Sequence, residues 1–141
     1  HNLTNVQFMG HLATDELARL VQTALFTVSP SEWYENYSMT VIESLACGTP
    51  VIGSRIGGIP EQVRDGWNGY LFEPGNAVKM QALLDDRERV IEMGRNGRSQ
   101  VEALNGPETH YEQTMRVYDR ALRETPHGKS TPVAKPVGES F

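Results

Sequence analysis

Cysteine is almost missing from this chain: the 141 residues hold one, Cys47. A single thiol excludes an internal disulfide framework and any metal site built from several cysteines. Between Ala46 and Gly48 it reads as a small, buried apolar residue. Long hydrophobic runs are missing too, and no apolar stretch reaches the length that spans a bilayer. Positive charge is scarce. There are 13 Lys and Arg against 18 Asp and Glu, a net charge of −5, and the basic residues are scattered. That excludes the basic stripe by which proteins hold nucleic acid. Internal repeats are also absent. The length suits one domain with a substantial core.

What is present is an alternation of strand-like and helix-like segments. Residues 5–9 (NVQFM) alternate like a short strand closed by Gly10. Thr14 is a candidate N-cap with Asp15 and Glu16 in the first turn, and Leu17, Leu20, Val21 and Ala24 form a helical stripe. Residues 25–29 form an apolar strand ended by Pro30, and Ser38 caps a helix through Ala46 that Gly48 and Pro50 stop. Val51–Ser54 is the next strand. Gly57-Gly58-Ile59-Pro60 turns into a short helix, and Gly69–Phe72 is the fourth strand.

Helices follow from Asn76 to Leu84, over Arg87–Leu104, and from Gly106-Pro107 onward. In the last of these, Tyr111, Met115, Tyr118 and Leu122 recur at helical spacing, which predicts core packing rather than a ligand box. From Thr125 the chain turns rich in Pro, Gly, Ser and Lys and reads as a disordered tail over 125–141. Strands alternating with helices predict a doubly wound parallel sheet, a Rossmann-like α/β fold over 1–124. Four strands are fewer than the roughly six of a complete two-half fold. With a start at His1 directly against a strand, this predicts an incomplete domain.

Such sheets bind ligands where strands end and helices begin. The stretch SEWYENYSMTVIESLACGTPVIGS, residues 31–54, occupies such a place. Its helix start directs the amides of Ser38, Met39 and Thr40 outward, with the positive dipole end, and offers a phosphate site. Glu43 lies one turn past Met39 on the same face, and Glu35 stands before the helix, nearer the mouth. Phosphates on the amides and hydroxyls on each carboxylate would suit this arrangement.

The pair Glu35 and Glu43 is an E-x7-E motif, followed in order by A-C-G-T-P-V, G-G-I-P-E and D-G-W-N-G-Y-L. With that company the chain resembles, from Val6 to Tyr118, the carboxy-terminal donor-binding domain of GT-B retaining glycosyltransferases, the family 4 (group 1) type. The resemblance implies glycosyl transfer from a nucleotide-diphosphate sugar with retention, and assigns roles to matching positions. Glu35 would contact hydroxyls of the donor sugar and Glu43 would hold the ribose. The amides of Asn36, Tyr37, Ser38 and Met39 would meet the sugar and diphosphate. Gly10, His11 and Leu12 would lie beside the base. One departure stands out. The family often has Gly-Phe-Gly after the first Glu, and this chain has Asn36-Tyr37-Ser38.

The same resemblance places the cations that neutralise diphosphate, and the acceptor-binding domain, in an amino-terminal part upstream of His1. The 141 residues alone are then expected to be inactive. No cofactor and no metal is expected: Asp85-Asp86 is not the Asp-x-Asp metal motif of the other glycosyltransferase fold and reads as solvated helix end. The implied partners are the nucleotide-diphosphate sugar, an acceptor that is a glycan, lipid or small molecule, and the amino-terminal domain. The implied location is cytoplasmic, either free or at the membrane surface through the upstream part. Two other readings stay open, a sugar-nucleotide epimerase of the same architecture and a non-catalytic nucleotide-sugar-binding module. A glycoside hydrolase fits poorly, since its two carboxylates must flank one bond about 5–9.5 Å apart.

Overall fold

The computed structural model describes residues 3–74 and 85–124. The expected helix over 76–84 and the expected tail over 125–141 lie outside the described residues. The chain divides into two compact units, His1–Gly106 and Pro107–Phe141.

In the first unit, α1 (Thr14–Thr23), β1 (Thr27–Ser29), α2 (Met39–Ala46), β2 (Val51–Ser54), α3 (Ile59–Gln62), β3 (Gly69–Phe72) and α4 (Arg87–Leu104) follow one another. The strands form one parallel sheet in the order β1-β2-β3, with Thr27 opposite Val51 and Gly53 opposite Leu71. All four β2 residues are buried. That is the signature of a parallel strand covered on both faces. Alternate residues serve alternate faces. Val51 and Leu71 join Val41 and Leu45 of α2, Ile59 of α3 and Val63. Ile52 and Phe72 join Val90 and Met93 of α4. Full burial of a side chain such as Leu45 or Ile52 stabilises by about 1.5–3 kcal/mol. The sheet therefore holds the helix starts rigidly, which is what a binding loop needs.

Local chemistry explains the boundaries. Gly48, at φ 77°, donates its N–H to Leu45 and ends α2, and Asp86 caps α4 by accepting from the Arg89 amide at 2.9 Å. Away from the sheet, Arg89 donates to the Glu92 carboxylate at 2.7 Å, which raises the Arg89 pKa above its ordinary value. Arg89 also donates to the Gly66 carbonyl.

Several expectations need correction. Residues 5–9 are not a strand, and β1 starts at Thr27 rather than at residue 25. Alternation becomes a strand only where a neighbour accepts its backbone ladder. β1 pairs with β2 alone among the described residues, so nothing there templates residues 5–9. α1 begins one residue earlier than a Thr14 cap would allow, with Ala13 at the cap and its N–H donating to Glu16 at 3.4 Å. Cys47 is half-buried rather than buried.

The second unit is described through α5 (Pro107–Glu124), which buries none of its residues. Tyr111, Met115, Tyr118 and Leu122 are exposed, against the expected core packing. Helical spacing makes one face apolar; it does not say what covers that face.

Candidate functional site

The site grows from the start of α2. Ser38 is in extended backbone (φ −82°, ψ 111°), and its hydroxyl pairs with the Thr40 hydroxyl at 3.1 Å instead of capping an amide. The N–H groups of Met39 and Thr40, in the first turn, meet no acceptor among the described residues, as helix geometry leaves the first turn's donors free. The Ser38 amide is different. It donates to Gln62 Oε1 at 3.1 Å, and Ser38 is buried. The expectation of three free amides is therefore corrected to two, because a side chain 24 residues away has taken the first.

Beside this helix start lies a cleft of about 810 Å³. One wall is the turn Gly10-His11-Leu12 and the apolar face of α1, with Leu17, Leu20 and Val21. The other is the β1 strand and one face of α2, with Thr40, Glu43, Ser44 and Cys47. Gly10 forms its turn at φ 65°, a conformation that favours glycine. Glu43 is exposed and aimed along this wall, while Val41, Ile42, Ser44 and Leu45 around it are buried. The wall is stiffened by hydroxyls. Thr27 and Ser44 share a hydrogen bond of 2.7 Å, Ser44 donates to the Thr49 carbonyl, and Thr49 donates to the Val21 carbonyl at 2.8 Å.

The structure thus brings Gly10, His11, Leu12, Thr40 and Glu43 around one cavity. Glu35, Asn36 and Tyr37, on the loop that leads into α2, and Met39, its first residue, stand outside the lining. Glu35 is half-buried, with Ser31 Oγ donating to its Oε1 at 3.1 Å. Its carbonyl accepts the Gly58 N–H at 2.7 Å. The Tyr37 hydroxyl accepts from Asn105 Nδ2. Trp33 and Tyr34, beside Glu35, are strongly exposed.

Gln62, Asn68 and Gln100 were invisible as site residues in the sequence. The Gln62 carbonyl accepts from Asn68 Nδ2 at 3.1 Å and Gln100 Nε2 at 2.9 Å, all three residues being buried. The available signal was a polar residue, Gln62, at a position between Ile59 and Val63 that faces the core.

A parallel sheet covered on both faces, with a cleft between a glycine turn and a helix start that carries a carboxylate, defines a doubly wound, Rossmann-like α/β domain. The comparisons narrow this. A model of the glycosyl transferases group 1 matches residues 1–100, and the chain belongs to that family. The N-acetyl-alpha-D-glucosaminyl L-malate synthase of Bacillus anthracis is 35% identical over 133 residues, covering 92% of this chain and 34% of that protein. A sucrose-phosphate synthase structure from Thermosynechococcus elongatus superposes with a TM-score of 0.76 and 32% identity, over 86% of this chain and 31% of that one. Anabaena HepE in complex with UDP-glucose has a TM-score of 0.66 at 22% identity, over 72% of this chain and 29% of that one; it shows the fold alone. The fold is that of a Rossmann-like domain of GT-B glycosyltransferases. The chain spans 29% and 34% of the length of the first curated relatives it matches. Among the described residues, no helix is long and apolar enough to cross a membrane.

Proposed function

We propose that this chain is the donor-binding part of an enzyme that transfers a sugar from a nucleotide-diphosphate sugar to an acceptor, with retention at the anomeric carbon. The observation that carries the reading is the cleft shared by the Gly10-His11-Leu12 turn and Glu43. Its volume lies within the range of about 300–1,000 Å³ common to small-molecule sites. The base would lie against the turn, and the ribose hydroxyls would be held by the Glu43 carboxylate. The diphosphate would face the amides of Met39 and Thr40 at the α2 start, where the helix dipole favours negative charge. Glu35, on the loop beyond, would hold hydroxyls of the donor sugar. The matched relatives named as glycosyltransferases and synthases, and the HepE complex with UDP-glucose, support a donor of this class.

The chemical burden in such a transfer is charge on the departing diphosphate. Fixed amides aimed at that charge need no rearrangement as it develops, which is why they lower the barrier more than mobile water does. Cations from the upstream part of the protein would share the task.

The test is titration of the full-length protein with UDP, GDP and ADP, followed by release of nucleoside diphosphate from the matching sugar donor. Binding of one diphosphate, with sugar passed to an acceptor and the anomeric configuration kept, is the expected result. Interconversion of one sugar nucleotide into another would establish the epimerase reading. Binding with no chemistry on any donor would establish the binding-module reading.

A further inference from the structure

The residues that touch the proposed donor do not hold themselves in place. α3 does it, at two points one helical turn apart. At its start the Gly58 N–H donates to the Glu35 carbonyl at 2.7 Å. At its end the Gln62 side chain meets the Ser38 peptide group twice, Oε1 accepting the Ser38 N–H at 3.1 Å and Nε2 donating to the Ser38 carbonyl at 3.2 Å. This fixes the amide's orientation. The flipped amide would set a donor against the Ser38 N–H and an acceptor against its carbonyl.

Gln62 is 2% exposed and Ser38 4%, so water does not substitute for either bond. Gln62 is anchored in turn. Its own carbonyl is held by Asn68 and Gln100, and Asn68 accepts the Arg64 amide at 2.8 Å. A chain of buried amides therefore runs from α4 and the entry to β3, through α3, to the residue that joins Glu35 to α2.

We propose that Gln62 is a positioning residue for the donor site, acting through Ser38 to set the loop that carries Glu35 against the first turn of α2. The inference rests on the donor-binding reading above and adds a residue that touches no ligand. An apolar side chain of equal size would fill the same space but leave a buried N–H unpaired. The loop would have to shift to find a partner for it. Glu43 sits a turn further along α2, whose buried residues hold it independently of Gln62. The Ser38 carbonyl, whose peptide carries the Met39 N–H, also accepts the Ile42 N–H at 3.3 Å and keeps that bond without Gln62. The nucleotide half of the donor would then be bound nearly as before, while the sugar half would be misplaced.

The experiment uses the full-length protein, wild type and Gln62→Leu, with Gln62→Met as the second variant should Leu not fold. Amide hydrogen exchange at Ser38 is read alongside affinity for the nucleoside diphosphate that the wild type binds and turnover of the corresponding sugar donor. The expected result is a Ser38 amide protected in the wild type and exchanging about tenfold faster or more in the variant, the mark of a lost buried hydrogen bond. Turnover should fall by about tenfold or more from lost orientation, with diphosphate affinity changed less than about threefold. An unprotected Ser38 amide in the wild type overturns the proposal without any variant. So does faster exchange with unchanged turnover, or an equal loss of affinity and turnover. Failure of the wild type to bind UDP, GDP or ADP would instead sink the donor reading itself, and with it this role for Gln62.

Discussion

Gly58 donates its backbone N–H to the Glu35 carbonyl at 2.7 Å, and it lies so close to the loop that a Cβ there would sit 2.1 Å from the Asn36 oxygen. Gly57, at φ 57°, is as tight: a Cβ would stand 2.6 Å from the Glu35 oxygen. The Gly57-Gly58 pair thus does more than turn the chain. It lets α3 approach the Glu35 loop at backbone distance.

Gly58→Ala should therefore displace the loop as well as destabilise the fold. The obstruction is backbone, which cannot rotate aside as a side-chain tip can, so we expect a loss of about 1–3 kcal/mol or more. Donor turnover should be lost in the molecules that stay folded. Gly106→Ala, where a Cβ would meet the Glu102 carbonyl oxygen at an ordinary 3.5 Å, is the control. Chemical denaturation of both variants decides the matter; equal midpoints would refute the close approach.

The two carboxylates should fail differently. Glu43→Ala is expected to weaken nucleoside diphosphate binding by about 1–3 kcal/mol, the range for hydrogen bonds to a charged group. Glu35→Gln is expected to cut turnover strongly with a modest change in that affinity, because its proposed partner is the sugar. Isothermal titration of the full-length protein checks the first and a donor-turnover assay the second. Unchanged affinity in the Glu43 variant would remove the ribose assignment.

α2 and α4 meet through glycines, and the two contacts should not be equally sensitive. A Cβ at Gly94 would lie 2.1 Å from the Gly48 carbonyl oxygen, whereas one at Gly97 would meet the Leu45 Cδ2 at 2.7 Å. A carbonyl is fixed by its backbone, while a leucine tip has other rotamers. Gly94→Ala is thus expected to cost about 1–3 kcal/mol or more, and Gly97→Ala to fall at or below the low end of that range. Denaturant midpoints in the reverse order would contradict the packing described here.

Under the proposed mechanism, leaving-group charge is met by amides at the α2 start and by side-chain cations. Transfer should then survive excess EDTA. The measurement is the transfer rate before and after chelation. Complete loss, restored by Mn²⁺, would assign that charge to a metal instead.

Much of the architecture was legible because its causes are local. Val51–Ser54 and Gly69–Phe72 are strands, and Arg87–Leu104 a helix, at the bounds the sequence predicts, since apolar runs and glycine stops act within a few residues; Asp86, which reads in the sequence as solvated helix end, caps that helix. The one-turn spacing from Met39 likewise put Glu43 on that residue's face of α2, which is exposed while Val41, Ile42 and Leu45 are buried. Other features depend on partners distant in the chain. Residues 5–9 carry a strand's pattern but have no strand beside them among the described residues, and the Tyr111, Met115, Tyr118 and Leu122 stripe has the spacing of a core face yet is exposed. The Ser38 amide belongs by position to a helix start that would offer it to a phosphate. Only the tertiary structure brings Gln62 against it, and a buried donor takes an acceptor within reach because leaving it unpaired costs about 1–3 kcal/mol.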